Sequence, residues 1–168
     1  MRSGTTINRL YLLGRGAKLY ITDLVSPLQQ KKDYWDYSGN TASFRTDRFL
    51  GQIPAMPRCS LNAILCWQLF DLLPREVLAP IILQMNLYLQ PWGVLFCILR
   101  EPWLHKGADW AWWLEGLTTL NRDDRDAARS VRFPYAAITN REMERLVPSG
   151  RVKTFLTRSG WREVLAIK

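Results

Sequence analysis

Three successive stretches decide the fold: Asn62-Ala-Ile-Leu-Cys-Trp67, the segment from Arg75 to Gln90, and Val94-Leu-Phe-Cys-Ile-Leu99. The first and third are short, uninterrupted apolar runs, the pattern of a strand buried on both faces. The middle one places Val77, Leu78, Ile81, Ile82, Met85 and Leu89 along one side of a helix. Asp71 and Pro74 mark its start, and Pro80 in its second turn is expected to kink it. Gln90-Pro-Trp-Gly93 reads as the turn that returns the chain to the third stretch. Strand, helix and strand in this order form a βαβ unit.

Working outward, Arg151–Arg158 and Trp161–Ile167 read as two strands joined by Ser159-Gly160, a hairpin signal. Thr139 is placed to cap a helix over 140–147, with Glu142 as its capping-box partner. Toward the N-terminus, Ile7, Leu10 and Tyr11 share a helical face over 5–13. Lys18-Leu-Tyr-Ile-Thr-Asp23 reads as a strand ending in an acid. A short strand is expected near Ala42–Arg45, and a loop over Gly51–Ser60. Residues 101–120, with Trp103, Trp110, Trp112 and Trp113, are expected to contain a helix, and 121–133 to be a charged connector. The alternation of strands and helices predicts an α/β domain with a mainly parallel sheet and a closing antiparallel strand.

Composition narrows the possibilities. The chain of 168 residues suits a single domain over 1–168, and its 48% apolar content opposes disorder. Cys59, Cys66 and Cys97 show no ligand spacing, and His105 is the one histidine, so neither a structural zinc site nor a disulfide scaffold is expected. The odd cysteine count, with no signal-peptide pattern, suggests a reducing, cytoplasmic setting. The apolar stretches are interrupted by Arg75, Glu76, Gln84, Asn86 and Gln90, which argues against a membrane-spanning helix. The net charge is +8, of which residues 1–32 supply +5 through six basic residues and one acid. No basic run exceeds Lys31-Lys32, so solubility charge is the simpler reading and nucleic-acid binding a secondary one.

Several segments together resemble a class I S-adenosylmethionine-dependent methyltransferase. Lys18–Asp23 is similar to the family's strand that ends in a ribose-binding acid. Asn62-Ala-Ile-Leu-Cys-Trp-Gln-Leu-Phe-Asp-Leu-Leu-Pro-Arg-Glu76 is similar to its fourth strand and the helix that follows. Leu89-Gln-Pro-Trp-Gly-Val-Leu-Phe96 resembles the turn into its fifth strand, and the closing hairpin its last two strands. The resemblance implies a Rossmann-like sheet and S-adenosylmethionine as cofactor. Asp23 would hold the ribose and Gly4 would be what is left of the Gly-rich turn on the methionine side. Asp47 would meet the adenine, and Trp67 and Gln68 would border cofactor and methyl acceptor, a small molecule or a protein. Independently, ligands in open α/β sheets sit beyond the carboxyl ends of the strands, where Asp23, Trp67, Gln68, Arg100 and Glu101 fall.

The sequence departs from the family at two points. The strand that would precede Gly4, central in the family's sheet, has no counterpart, so the domain reads as N-terminally truncated relative to the family. Position 68 carries an amide that can only hydrogen-bond, so no catalytic base is assigned. Methyl transfer needs little beyond alignment of its two partners, which leaves an active enzyme, a non-catalytic methyltransferase-fold interaction module and a basic nucleic-acid-binding protein as the readings.

Overall fold

The computed structural model describes residues 18, 20, 22, 24, 28, 34–37, 42–104, 106–108, 110–115, 119–124, 130–149, 151–156 and 160–168. The chain forms two compact units, Met1–Ile21 with His105–Phe133, and Thr22–Leu104 with Pro134–Lys168.

The second unit is built on the βαβ sequence. It begins with a two-residue ribbon, β1 (Trp35–Asp36) against β2 (Ser43–Phe44), followed by a short helix, α1 (Thr46–Leu50). Tyr34, Phe44 and Phe49 stack around this corner with ring centroids 5.5–6.1 Å apart. Strand β3 (Leu61–Trp67), a 3-10 turn (Phe70–Leu72), helix α2 (Arg75–Tyr88) and strand β4 (Leu89–Arg100) come next. Helix α3 (Asn140–Leu146) precedes the closing hairpin, β9 (Val152–Leu156) and β10 (Trp161–Ile167). The sheet order is β3-β4-β10-β9, with β3 and β4 parallel and the other two pairs antiparallel. The fold class is mixed α/β, with the expected antiparallel closing strand. The parallel content is one pair among the described residues of this sheet.

Helix α2 starts where expected, with Pro74 as its N-cap residue. It runs on through Pro80, which lies on the exposed side, where water can meet the carbonyl that loses its helical donor. Val77, Leu78, Ile81, Ile82 and Met85 are buried against Cys66, Leu95, Cys97, Leu99, Val164 and Ala166 of the sheet. Helix α3 adds Met143, and Ile138 enters the same core.

The α3 cap has the expected form. Thr139 Oγ1 accepts from the Glu142 amide at 3.2 Å, and Glu142 Oε2 accepts from the Thr139 amide at 2.7 Å. Thr139→Ala removes one half of this exchange and is expected to cost about 1 kcal/mol in chemical denaturation.

Four expectations change. First, the run 62–67 is a strand, but Asn62, Ala63 and Leu65 are exposed, because β3 lies at the sheet edge instead of inside it. Second, Gln90–Gly93 is part of β4, where it forms a bulge. Leu61 pairs with Leu89 and Ala63 with Val94, so the extra residues loop out. Trp92 takes φ 66° there, and a side chain at Gly93 would come within 2.8 Å of the Gln90 carbonyl. Third, no helix forms among the described residues of 101–120. In the first unit β5 (Lys106–Ala108) pairs with β8 (Ser130–Arg132), and β6 (Trp110–Glu115) with β7 (Thr119–Asp124). The spacing of Trp110 and Trp113 suits a helix, but aromatic residues favour paired strands, and the charged stretch 119–124 supplies the partner. Fourth, Lys18, Tyr20 and Thr22 lie outside any strand, while the rest of 18–23 is outside the described residues. The same holds for all of 5–13.

Candidate functional site

The carboxyl ends of β3 and β4 lie side by side, with Trp67 paired to Ile98. The start of β10 joins them, with Trp161 opposite Arg100. Among the described residues, three charged side chains are buried at this end, Asp71, Arg100 and Arg162, each no more than 4% exposed. An ion out of water is costly unless it is paired and hydrogen-bonded, so the partners define what this end of the sheet does.

The arginines bind the segment that leads into α3. Arg100 donates to the carbonyls of Leu104 and Tyr135. Arg75, at the first turn of α2, donates to the carbonyls of Ala136 and Ala137 at 2.8 and 2.6 Å. Arg162 donates to the carbonyls of Ile138 and Arg100 and to Oδ1 of Asn140. Four successive carbonyls, 135 to 138, therefore accept from three guanidinium groups.

Carboxylates balance these charges. Glu142 lies 3.4 Å from Arg75 Nε, and Glu101 lies 2.9 Å from Arg162 Nε. Asp71 accepts from the Arg100 amide at 2.8 Å and stands 3.8 Å from its Nε. Burial pushes the Asp71 carboxyl up to about 6; the Arg100 amide hydrogen bond and the charges of Arg100, Arg162 and Arg75 only partly offset it. The Arg100 contact is long for an ion pair, which is why burial prevails. Glu142, more exposed, is held below the usual carboxylate range by its bonds to Thr139 and by Arg75 and Arg145, against the opposing effect of burial.

Such a carboxyl has the pKa of a general acid or base, but Asp71 is 1% exposed and its neighbours are protein groups. The guanidinium donors are likewise turned to backbone carbonyls. The arrangement is a clamp that fastens 135–140 across the end of the sheet.

Next to it, Gln68 follows β3 with φ 55°, in the left-handed region that costs a residue with a side chain about 1 kcal/mol. Its Nε2 is buried and has no hydrogen-bond partner among the described residues. Trp67 is half-buried, edge-on to Phe96 with ring centroids 5.7 Å apart.

The residues expected to bind a cofactor are placed unequally. Trp67 and Gln68 are adjacent at the strand end, as expected. Asp47 is exposed in the first turn of α1, where its charge suits the helix N-terminus, and its side chain makes no hydrogen bond or ion pair among the described residues. Gly4 and Asp23 lie outside the described residues. Cys66 and Cys97 are buried, and burial pushes the Cys66 thiol up to about 12 and raises that of Cys97 well above its ordinary value, so both serve as core residues, not nucleophiles. Among the described residues no group of three His, Cys, Asp or Glu could hold a metal ion, and no helix is long and apolar enough to cross a membrane. A cavity lined by Ile82, Asn86, Leu89, Leu95, Val147, Pro148, Ala166, Ile167 and Lys168 has a volume of about 10 Å³, room for one water at most.

Asp71, Arg75 and Arg162 were not singled out as site residues from the sequence. One signal existed for Asp71, which is the one charged residue between Arg58 and Arg75. Comparison with protein-family models, with curated proteins and with solved structures found no match to the chain.

Proposed function

We propose that the chain is a methyltransferase-fold-like module that works by binding a partner, without methyl transfer of its own. The observation that carries this reading is the clamp. At the sheet end where a Rossmann-like protein receives its ligand, Arg75, Arg100 and Arg162 spend their donors on the carbonyls of 135–138. Support for the methyltransferase likeness is topological. The segments that resemble the family's last four strands are neighbours in one sheet, and the closing strand is antiparallel.

Titration with S-adenosylmethionine and S-adenosylhomocysteine to millimolar concentration is expected to give no heat of binding. Saturable binding of either below about 100 µM overturns the reading, since that strength needs roughly 5 kcal/mol or more of specific contacts.

One observation favours the second reading, a module that holds S-adenosylmethionine or its product. Among the described residues Gln68 Nε2 is a buried donor without a partner, and such a donor is costly unless something meets it. In this reading Trp67 and Gln68 border the adenosyl group, with Gly4, Asp23 and Asp47 as the remaining contacts the resemblance implies. The cofactor would supply the methyl sulfonium, and the chain would orient it. Gln68→Gly separates the two readings. If no ligand meets Gln68, the substitution relieves the left-handed backbone and is expected to leave stability unchanged or raise it by about 1 kcal/mol. A ligand-binding Gln68 instead shows as affinity lost on the same change.

A further inference from the structure

The chain leaves the second unit after Leu104 and returns to it at Pro134. One guanidinium holds both joints. Arg100 Nη1 donates to the carbonyl of Leu104 at 2.8 Å, and Nη2 donates to that of Tyr135. The other holds are polar as well. At the exit joint the Glu101 amide donates to the Gly160 carbonyl at 2.8 Å, and the Leu104 amide to the Glu101 carbonyl at 3.0 Å. At the return joint Arg75 donates to the carbonyls of Ala136 and Ala137, and Arg162 to that of Ile138. Apolar burial adds little. Pro102, Trp103, Pro134 and Ala136 are exposed, and Leu104, Tyr135 and Ala137 are half-buried. The Trp103 ring rests against Gly160, where a side chain would come within 2.6 Å of it, yet Trp103 is 64% exposed. Within the second unit the nearest buried apolar side chains are Leu99 on β4 and Ile138 ahead of α3.

We propose that 101–104 and 134–137 form one latch, which opens in a single step while the sheet and α3 stay folded, with Arg100 as the residue that couples its two halves. A segment opens locally when it buries little apolar surface and is fixed by hydrogen bonds that water can replace. Both halves meet that description, and the anchors at Leu99 and Ile138 do not. The coupling follows from the shared donor group. If the return half lifts away alone, Nη2 of a buried guanidinium loses its acceptor, and a buried donor without an acceptor is costly. Arg100 regains hydrogen bonds by turning out to water, and that movement gives up the Leu104 carbonyl as well. Opening therefore frees the donors of Arg75, Arg100 and Arg162 at the carboxyl end of the sheet and leaves the strand pairs intact. The latch goes beyond the reading above, because it is a property of the chain whether a partner or a nucleoside is bound.

Trp103 and Tyr135 put a chymotrypsin site in each half. The experiment is digestion of the full chain with chymotrypsin under native conditions and in urea well below the unfolding midpoint, with the first cuts located by mass spectrometry. When reclosing is faster than cutting, each cleavage rate reports the open population. Arg75 is the deciding residue, because of the two halves it contacts only the return one. Arg75→Gln is expected to raise cleavage after Tyr135 and after Trp103 by the same factor, about tenfold. Arg100→Lys lacks the fork that spans two acceptors and is expected to raise both rates equally and further. The urea dependence of the two cuts is expected to be the same, and well below that of global unfolding. In Arg75→Gln, cleavage that quickens after Tyr135 alone, or at neither site, overturns the proposal. So does cutting at both sites with the full urea dependence of unfolding. The Arg75 side chain is 34% exposed, so its replacement leaves the core in place and decides the question even if Arg100→Lys misfolds.

Discussion

Arg162→Ala is expected to destabilise the protein by about 3–5 kcal/mol, read from the shift of its urea denaturation midpoint. The arginine is 4% exposed and joins three parts of the chain at once. It donates to Ile138 ahead of α3, to Asn140 at the start of α3 and to the carbonyl of Arg100 on β4, and it faces Glu101. Removing it leaves Glu101, only 21% exposed at its side chain, without this cation, and the Ile138 and Arg100 carbonyls without this donor. The loss therefore exceeds the net worth of the contacts themselves. Arg162→Lys retains the charge but lacks the planar fork that reaches several acceptors together, so it is expected to recover only part of the loss. Because the clamp holds 135–140, protease cleavage in that segment is expected to quicken in both variants. A cost below about 1 kcal/mol for Arg162→Ala would show that the clamp is not what fastens the segment.

The second large effect is a dependence of stability on pH carried by Asp71. Its carboxyl has a folded-state value of about 6 against 3.8 when free, and burial is the leading cause. An acid whose value is raised by folding holds its proton more tightly in the native state. Its contribution to stability is therefore complete below the unfolded value and is lost as pH rises through the folded one. The window runs from about pH 4 to 6.5, and the span is worth about 3 kcal/mol. Glu142 has the opposite sign. Its lowered value contributes stability above the ordinary glutamate range that disappears on acidification. The comparison with Asp71→Asn isolates the aspartate. Asparagine can still accept from the Arg100 amide with its side-chain oxygen and cannot ionise, so the difference in stability between wild type and variant is expected to slope through pH 4–6.5 and level off above it. A difference that stays flat across this range would show that Asp71 is ionised with an ordinary pKa in the folded state.

Much of the second unit was legible because its signals are local. The apolar run before Trp67, the Pro74 start of α2, the Thr139–Glu142 capping box and the strands over 152–156 and 161–167 all depend on residues a few positions apart. The Trp-rich segment misled for the same reason. A spacing of three between Trp110 and Trp113 satisfies a helix, and only pairing with the next segment, 119–124, makes it a strand. The buried character assigned to 62–67 also failed on a distant fact, since whether a strand lies inside a sheet or at its edge depends on which other segments pair with it.

The candidate site was legible in position but not in chemistry. Trp67, Gln68, Arg100 and Glu101 could be placed at strand ends from the order of elements alone. What Arg100 does there follows from the carbonyl of Tyr135, 35 residues farther along the chain, and no spacing rule connects Arg75, Arg100 and Arg162 to the carbonyls of 135–138. By itself the sequence determined the βαβ order, the starts of α2 and α3 and the closing hairpin, because hydrophobic period, caps and turns act over a few residues. Tertiary structure alone decided that three arginines close the carboxyl end of the sheet, that Asp71 is buried among them, and that β3 lies at an edge. Those outcomes depend on burial and pairing between residues far apart in the chain, where the cost of an unpaired charge or an unpaired strand is met by partners that local sequence does not reveal.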